Sequence, residues 1–285
     1  MQGMKKKLLW YAWLGMAIFT SCEQKKVASP VEYPEDETAD SAREAADSIE
    51  FIVKPESEEK LPDTADELFD DFVFEFARLK SVQLKRVNFP LPVVEFGDTT
   101  WVQADNWEHE YLFLNQDFYT VFFNDESQME LEKSTDLERV DVEWLMPEQE
   151  KVRVYTFERE QGRWRLVMET IRPFNDSPLA DFMRFYQRFA EDDDFQQASV
   201  ASQLHFITID PDDDFNMIEG TLSREQWETF KPQLPSGTLT NIRYGQEYHN
   251  PNRMILVKRG IANGLMEVLS FRKTDDSWKL VSFEN

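Results

Sequence analysis

The phrase Phe-x-x-Phe-x-x-x-Phe-Ala stands twice in the chain, from Phe69 to Ala77 and again from Phe182 to Ala190, 113 residues further on. Spacings of three and four put all three rings of each copy on one stripe of an α-helix. A lone helix cannot hide such a stripe, so each copy predicts a first helix that needs a sheet to cover it. Two such helices predict two copies of one fold.

Other features repeat in the same order. Ser81-Val82 returns as Ser199-Val200, and Trp107-Glu108 as Trp227-Glu228. Phe157 with Trp164-Arg165-Leu166-Val167 returns as Phe271 with Trp278-Lys279-Leu280-Val281, at an offset of 114. Offsets that drift by only a few residues are what loop-length changes between two copies produce.

Within the first copy, Asp63 or Thr64 is the cap candidate for a helix running to about Lys80, with acids in its first turn suiting the helix dipole. Val87 to Val94 contains Pro90 and Pro92, which predicts an extended segment at a sheet edge. Trp107, Tyr111 and Leu114 predict a short second helix over 104–115. Tyr119–Phe123, Val140–Trp144, Val152–Phe157 and Trp164–Glu169 read as strands, the last two joined by a hairpin at Glu160-Gln161-Gly162-Arg163. In the second copy Leu204–Ile209 is extended like Val87–Val94. The chain divides into α+β domains over 64–175 and 176–285.

At 285 residues with 41% hydrophobic and 14% aromatic content, there is apolar material for two cores. A net charge of −24 excludes nucleic acid as the expected partner, since phosphate binding needs clustered Lys and Arg. Residues 32–67 hold fourteen acids against three bases, and Pro30, Pro34, Pro55 and Pro62 punctuate the stretch. With so little to bury, 22–63 reads as a lipidated Cys followed by an extended acidic tether.

The N-terminus reads as an address. Lys5-Lys6-Lys7 precede an apolar run from Leu8 to Phe19, the pattern of an export signal over 1–21. Phe19-Thr20-Ser21-Cys22 follows, and Cys22 is the only cysteine in the sequence. This segment resembles the bacterial lipobox, with Phe19 in place of the usual Leu. The resemblance implies lipidation, palmitate included, on Cys22, and hence a membrane partner. No dense acidic run follows Cys22, which points to an anchor in the outer membrane facing the periplasm.

A helix, a short strand, a second helix and a curved antiparallel meander form the element order of the nuclear-transport-factor-2-like, or cystatin-like, α+β cone. The chain resembles an uncharacterised lipoprotein family of Gram-negative gut bacteria that carries tandem domains of this type. The resemblance covers about 64–285 and implies two cones, each with helices packed on a curved antiparallel sheet. The superfold hosts enzymes, small-molecule binders and interaction modules alike.

No motif assigns a catalytic residue. Gly-rich phosphate loops, a Gly-x-Ser-x-Gly elbow and a reactive Cys are absent from the sequence, and no cofactor is implied. Steroid isomerases of the superfold resemble one another in a Tyr on the first helix and Asp residues in an apolar pocket. Here Tyr186 lies on the right helix, but its counterpart in the first copy is Val73. Asp141 alternates with Val140 and Val142, which predicts an exposed carboxylate on the opposite face. His109, His205 and His249 lack the spacing of a zinc site, and Asp210-Pro211-Asp212-Asp213-Asp214 lacks the Gly and Glu of a calcium loop, so no metal is expected. If a cone keeps a pocket, Trp107, Tyr111, His205 and Trp227 are its lining candidates, ordinary core packing being the preferred role for them. The reading favours a non-enzymatic binding or interaction module, with an envelope protein or a small apolar ligand as partner. The alternative is a small-molecule binder or an isomerase or cyclase using a cone pocket.

Overall fold

The computed structural model describes residues 66–285, so the export signal, Cys22, the tether, Asp63 and Thr64 lie outside the described residues. The first repeat contributes α1 (Phe69–Arg78), α2 (Lys80–Arg86), β1 (Leu91–Glu95), β2 (Asp98–Val102), β3 (Phe118–Phe123), β4 (Arg139–Met146), β5 (Lys151–Glu160) and β6 (Arg163–Pro173). The second contributes α3 (Ala180–Glu191), α4 (Asp193–Ser199), β7 (Val200–Asp210), β8 (Asp213–Ser223), α5 (Arg224–Phe230), β9 (Leu239–Arg243), β10 (Arg253–Gly260), β11 (Met266–Thr274) and β12 (Ser277–Glu284). The fold is α+β with two curved six-stranded sheets.

The repeats agree in fine detail. The first helix of each breaks at an equivalent residue, Leu79 or Asp192, both extended. At the second break the Asp192 carboxylate accepts the Phe195 backbone N–H at 2.9 Å and so caps α4. Both terminal hairpins turn on two residues of positive φ, Gln161-Gly162 and Asp275-Asp276, the backbone that matches strand twist in a two-residue turn.

Each sheet nevertheless takes one strand from the other repeat. The orders are β2-β1-β6-β5-β4-β9 and β8-β7-β12-β11-β10-β3. They are the same pattern, except that β3 and β9 have changed places. Where these two strands meet, the Thr120 hydroxyl donates to the Thr240 carbonyl at 2.5 Å and the Thr240 hydroxyl donates to the Thr120 carbonyl at 3.4 Å, a near-twofold exchange.

Three local expectations are corrected. Pairing is antiparallel throughout each meander, but β1 runs parallel to β6 and β7 parallel to β12. The proline-bearing strand β1 is interior rather than an edge, because β2 covers it. It tolerates Pro92 because the ladder to β6 starts one residue later, at Val93, and Pro90 lies before the strand. Over 104–115 there is only a single 3-10 turn, Ala104–Asn106, with no side-chain cap and with Leu112 at positive φ. Its counterpart in the second repeat does form a helix, α5, because Ser223 and Gln226 make a capping box.

The repeated phrase plugs each cone. Phe69, Phe72 and Phe76 all meet Phe157 edge-on, and Phe69 also meets Trp164 edge-on. Phe182, Phe185 and Phe189 meet Phe271 in the same way, and Phe182 meets Trp278 edge-on. Each fully buried ring stabilises the fold by roughly 1.5–3 kcal/mol, with a further ~0.5–1.5 kcal/mol for an aromatic pair.

Candidate functional site

With the inner faces filled by rings, two cavities open on the outer faces of the sheets. On β4 the alternation sends Val140 and Val142 inward to the Phe plug and Asp141 and Glu143 outward. Thr156 on β5, Met168, Thr170 and Arg172 on β6, and Arg243 on β9 share that outer face and line a cavity of about 340 Å³ with Arg139.

The carboxylates on this face are buried, which corrects the exposure expected for Asp141. Asp141 is 8% exposed and Glu143 1%. The Asp141 carboxylate accepts from Arg139 Nη2 at 3.1 Å and from the Thr156 hydroxyl at 2.8 Å. Glu143 accepts from Arg172 Nη2 at 3.2 Å and from the Asn241 amide at 2.8 Å. Arg243 Nη1 stands 3.9 Å from Asp141 and 3.7 Å from Glu143, shared between them. Burial raises the Glu143 carboxyl above its usual range, opposed by Arg243, the Asn241 amide and Arg172. Three guanidinium groups and two carboxylates thus hold one another at the mouth of a cleft, a layout able to take a polar ligand by exchange of partners.

The outer face of the second sheet carries a cavity of about 560 Å³. Arg253, Arg272, Ser270, Ser282 and His205 supply its donors, Ile207 and Val268 part of its apolar wall, and Glu126 and Glu284 its acids. His205 Nε2 lies 3.3 Å from Glu219 and its Nδ1 3.3 Å from the Ser282 hydroxyl.

Residues 45–285 match the model of the DUF4348 family, described as a domain of unknown function. The chain belongs to the DUF4348 family. It is also similar to a crystal structure described as that of an NTF2-like protein from Bacteroides fragilis NCTC 9343. Sequence identity is 41%, covering 77% of this chain and 96% of that one, with a TM-score of 0.73. No curated protein matches the chain.

In this DUF4348 chain the four lining candidates are not brought together. Trp107 and Trp227 are buried and play one part in the two repeats. Trp107 Nε1 donates to Gln83 Oε1 at 2.9 Å, and Gln83 Nε2 donates to the Phe76 carbonyl at 2.8 Å. Trp227 donates to Gln196 at 3.1 Å, and Gln196 to the Phe189 carbonyl at 2.8 Å. Each Trp–Gln pair pins the end of a Phe plug. Tyr111 is exposed and lies against His109. Of the four, His205 alone lines one of the two cavities. Among the described residues, no group of three His, Cys, Asp or Glu is placed to hold a metal ion.

Sequence reasoning missed a second, half-buried polar group, beside α1. Tyr244 Oη donates to Asp70 at 2.7 Å, and Arg259 Nη2 reaches Glu132 at 2.6 Å. Burial raises Asp70, opposed by the Tyr244 hydrogen bond. Burial likewise pushes Glu132 up to about 7, despite Arg259 beside it. One signal was available: Asp70 stands inside the Phe phrase where the second copy has Met183.

Proposed function

We propose that this DUF4348 chain is a non-catalytic binding module of the cell envelope, held by lipid on Cys22 and using the outer faces of its sheets. The observation that carries the reading is the filling of both cones: Phe69 and Phe76, Phe182 and Phe189, Phe157 and Phe271 are all at 2% exposure or less. The acid–arginine cleft and the His205 cavity lie on the opposite faces, where a ligand reaches them without moving a plug. The lipobox supports the envelope address, and the acidic tether supports a folded part held off the membrane.

Asp70, held by Tyr244 on the first helix of the first cone, favours a second reading, an isomerase or cyclase acting inside that cone. The two readings separate on one experiment. Native mass spectrometry of the protein purified from an envelope fraction detects a bound small molecule, and Phe72→Trp overfills the first cone. The binding module retains its ligand in that variant, whereas loss of the ligand with the fold intact overturns the outer-face reading. Labelled palmitate tests the anchor: Cys22→Ala is expected to abolish incorporation, and continued labelling sinks the assignment.

A further inference from the structure

Strand pairing aligns the two outer faces residue by residue. In the first sheet Arg139, Glu158 and Arg165 stand directly opposite one another across β4, β5 and β6. The same three positions in the second sheet, each 114 residues on, are Arg253, Arg272 and Lys279. A row that alternates in sign has become a row of three cations in a chain of net charge −24. Like charges directly opposite on a sheet destabilise it, so the row holds electrostatic free energy that an anion would recover.

Two of the three cations, Arg272 and Lys279, make no ion pair among the described residues. Arg253 is held by Asp125 at 3.3 Å and Glu126 at 2.6 Å. Lys279 Nζ donates to the Ala198 carbonyl at 2.7 Å. Arg272 is exposed and, among the described residues, makes no ion pair.

The neighbouring row completes the set. Ser270, Ser282, His205 and Thr221 stand opposite one another across β11, β12, β7 and β8, a line of hydroxyls around one imidazole. In the first sheet Thr156 stands opposite Met168, and Pro92 on β1 is paired with Trp101 on β2, so that row has largely lost its donors.

We propose that the second outer face binds a compact oxyanion, a phosphate or sulfate group, held by Arg272 and Arg253 with the Ser270 and Ser282 hydroxyls and the His205 ring as further donors. This deepens the outer-face reading and rests on it. A guanidinium fork matches two oxygens of such a group, and hydroxyl and imidazole N–H groups satisfy the rest. The cavity of about 560 Å³ exceeds a bare oxyanion, so the group is one end of a small molecule whose remainder meets Ile207 and Val268. Glu126 is already tied to Arg253. Glu284, two residues along β12 from Ser282 and so roughly 7 Å away, faces that remainder rather than the anion.

The first sheet supplies the test, because Arg272→Glu restores its alternating pattern and relieves the like-charge row, so it preserves the fold. Inorganic phosphate and inorganic sulfate are titrated separately into the folded protein at constant ionic strength, followed by NMR of the His205 ring and the Ser270 and Ser282 amides. The expected result is a saturable shift at these groups with at least one anion, and at least tenfold weaker binding in Arg272→Glu. Wild-type protein that shows no saturable shift with either anion, or Arg272→Glu that binds as tightly as wild type, overturns the inference. A small molecule co-purifying with Arg272→Glu as it does with wild type would leave the outer-face reading standing while removing this site from it.

Discussion

The two repeats are alike inside and different outside. Phe, Trp and Gln recur at matching positions beneath both sheets, whereas the outer rows diverge: Asp141 and Glu143 correspond to Ile255 and Val257, and Glu158 to Arg272. The inner positions are fixed by the need to fill a cone of one shape. The outer positions answer to different surroundings. Ile255 and Val257 are buried in the core that holds the first Phe plug, where a carboxylate would be costly. Asp141 and Glu143 face three arginines, where an aliphatic side chain would leave guanidinium groups without partners. The duplication thus supplies its own control, a second copy in which each feature is present or replaced.

The strongest attack on this comparison is on the shared interior. Phe157→Ala and Phe271→Ala each remove a ring that meets all three members of a plug, and each is expected to destabilise by about 3–5 kcal/mol in denaturant unfolding. Equivalent interiors require similar losses, so a gap between them of more than about 2 kcal/mol would break the equivalence. Next comes the divergent exterior. Glu143→Val installs the second repeat's residue but strands Arg172 and Arg243, with an expected loss of about 1–3 kcal/mol, whereas the reciprocal Val257→Glu buries a carboxylate in an apolar core at a larger cost, about 3 kcal/mol or more. Urea midpoints of the two variants check the order.

The Trp–Gln pairs sharpen the comparison more finely. Gln83 also donates to the Glu110 carbonyl and accepts the Glu110 N–H, two bonds that Gln196 does not make. Gln83→Leu is therefore expected to cost about 2 kcal/mol and Gln196→Leu about 1 kcal/mol. Equal thermal shifts would mean that the extra bonds contribute nothing. The last effect is in pH. With its carboxyl raised from 4.5 to about 7 in the fold, Glu132 keeps a proton that the unfolded chain has already released. Its contribution to stability is complete below about pH 4.5 and fades as pH rises through 7. Glu132→Gln should flatten that decline in thermal scans between pH 5 and 8, and an unchanged slope would remove Glu132 as its source.

Local pattern made much of this legible. The Phe stripe, the Gln161-Gly162 hairpin turn and the period-two runs each depend on neighbours in sequence, and each appears where the pattern places it. Misreadings came where a distant segment intervened. Asp141 does lie opposite Val140 and Val142, but its face is closed by Arg243 from a strand a hundred residues away. Leu112 adopts a backbone that the helix expected around Trp107 and Tyr111 cannot contain. Pro92 sits inside a sheet because β2 folds back over it. The candidate surface sites were hidden for another reason. Their signal is the difference between the copies, Glu158 against Arg272 and Pro92 against His205, and attention to matching residues passes over it.

The exchange of β3 and β9 reaches beyond topology. Neither repeat owns a complete sheet: without β9 the edge of β4 is bare, and without β3 so is that of β10. A single cut at the turn Phe174–Asp176 would sever the backbone between the copies and leave them clasped, each still holding a strand of the other. Released from one another, the halves would present raw edges that invite pairing with further chains. The molecule behaves less like two beads on a string than like a fastened buckle, and it comes apart only by opening both sheets at once.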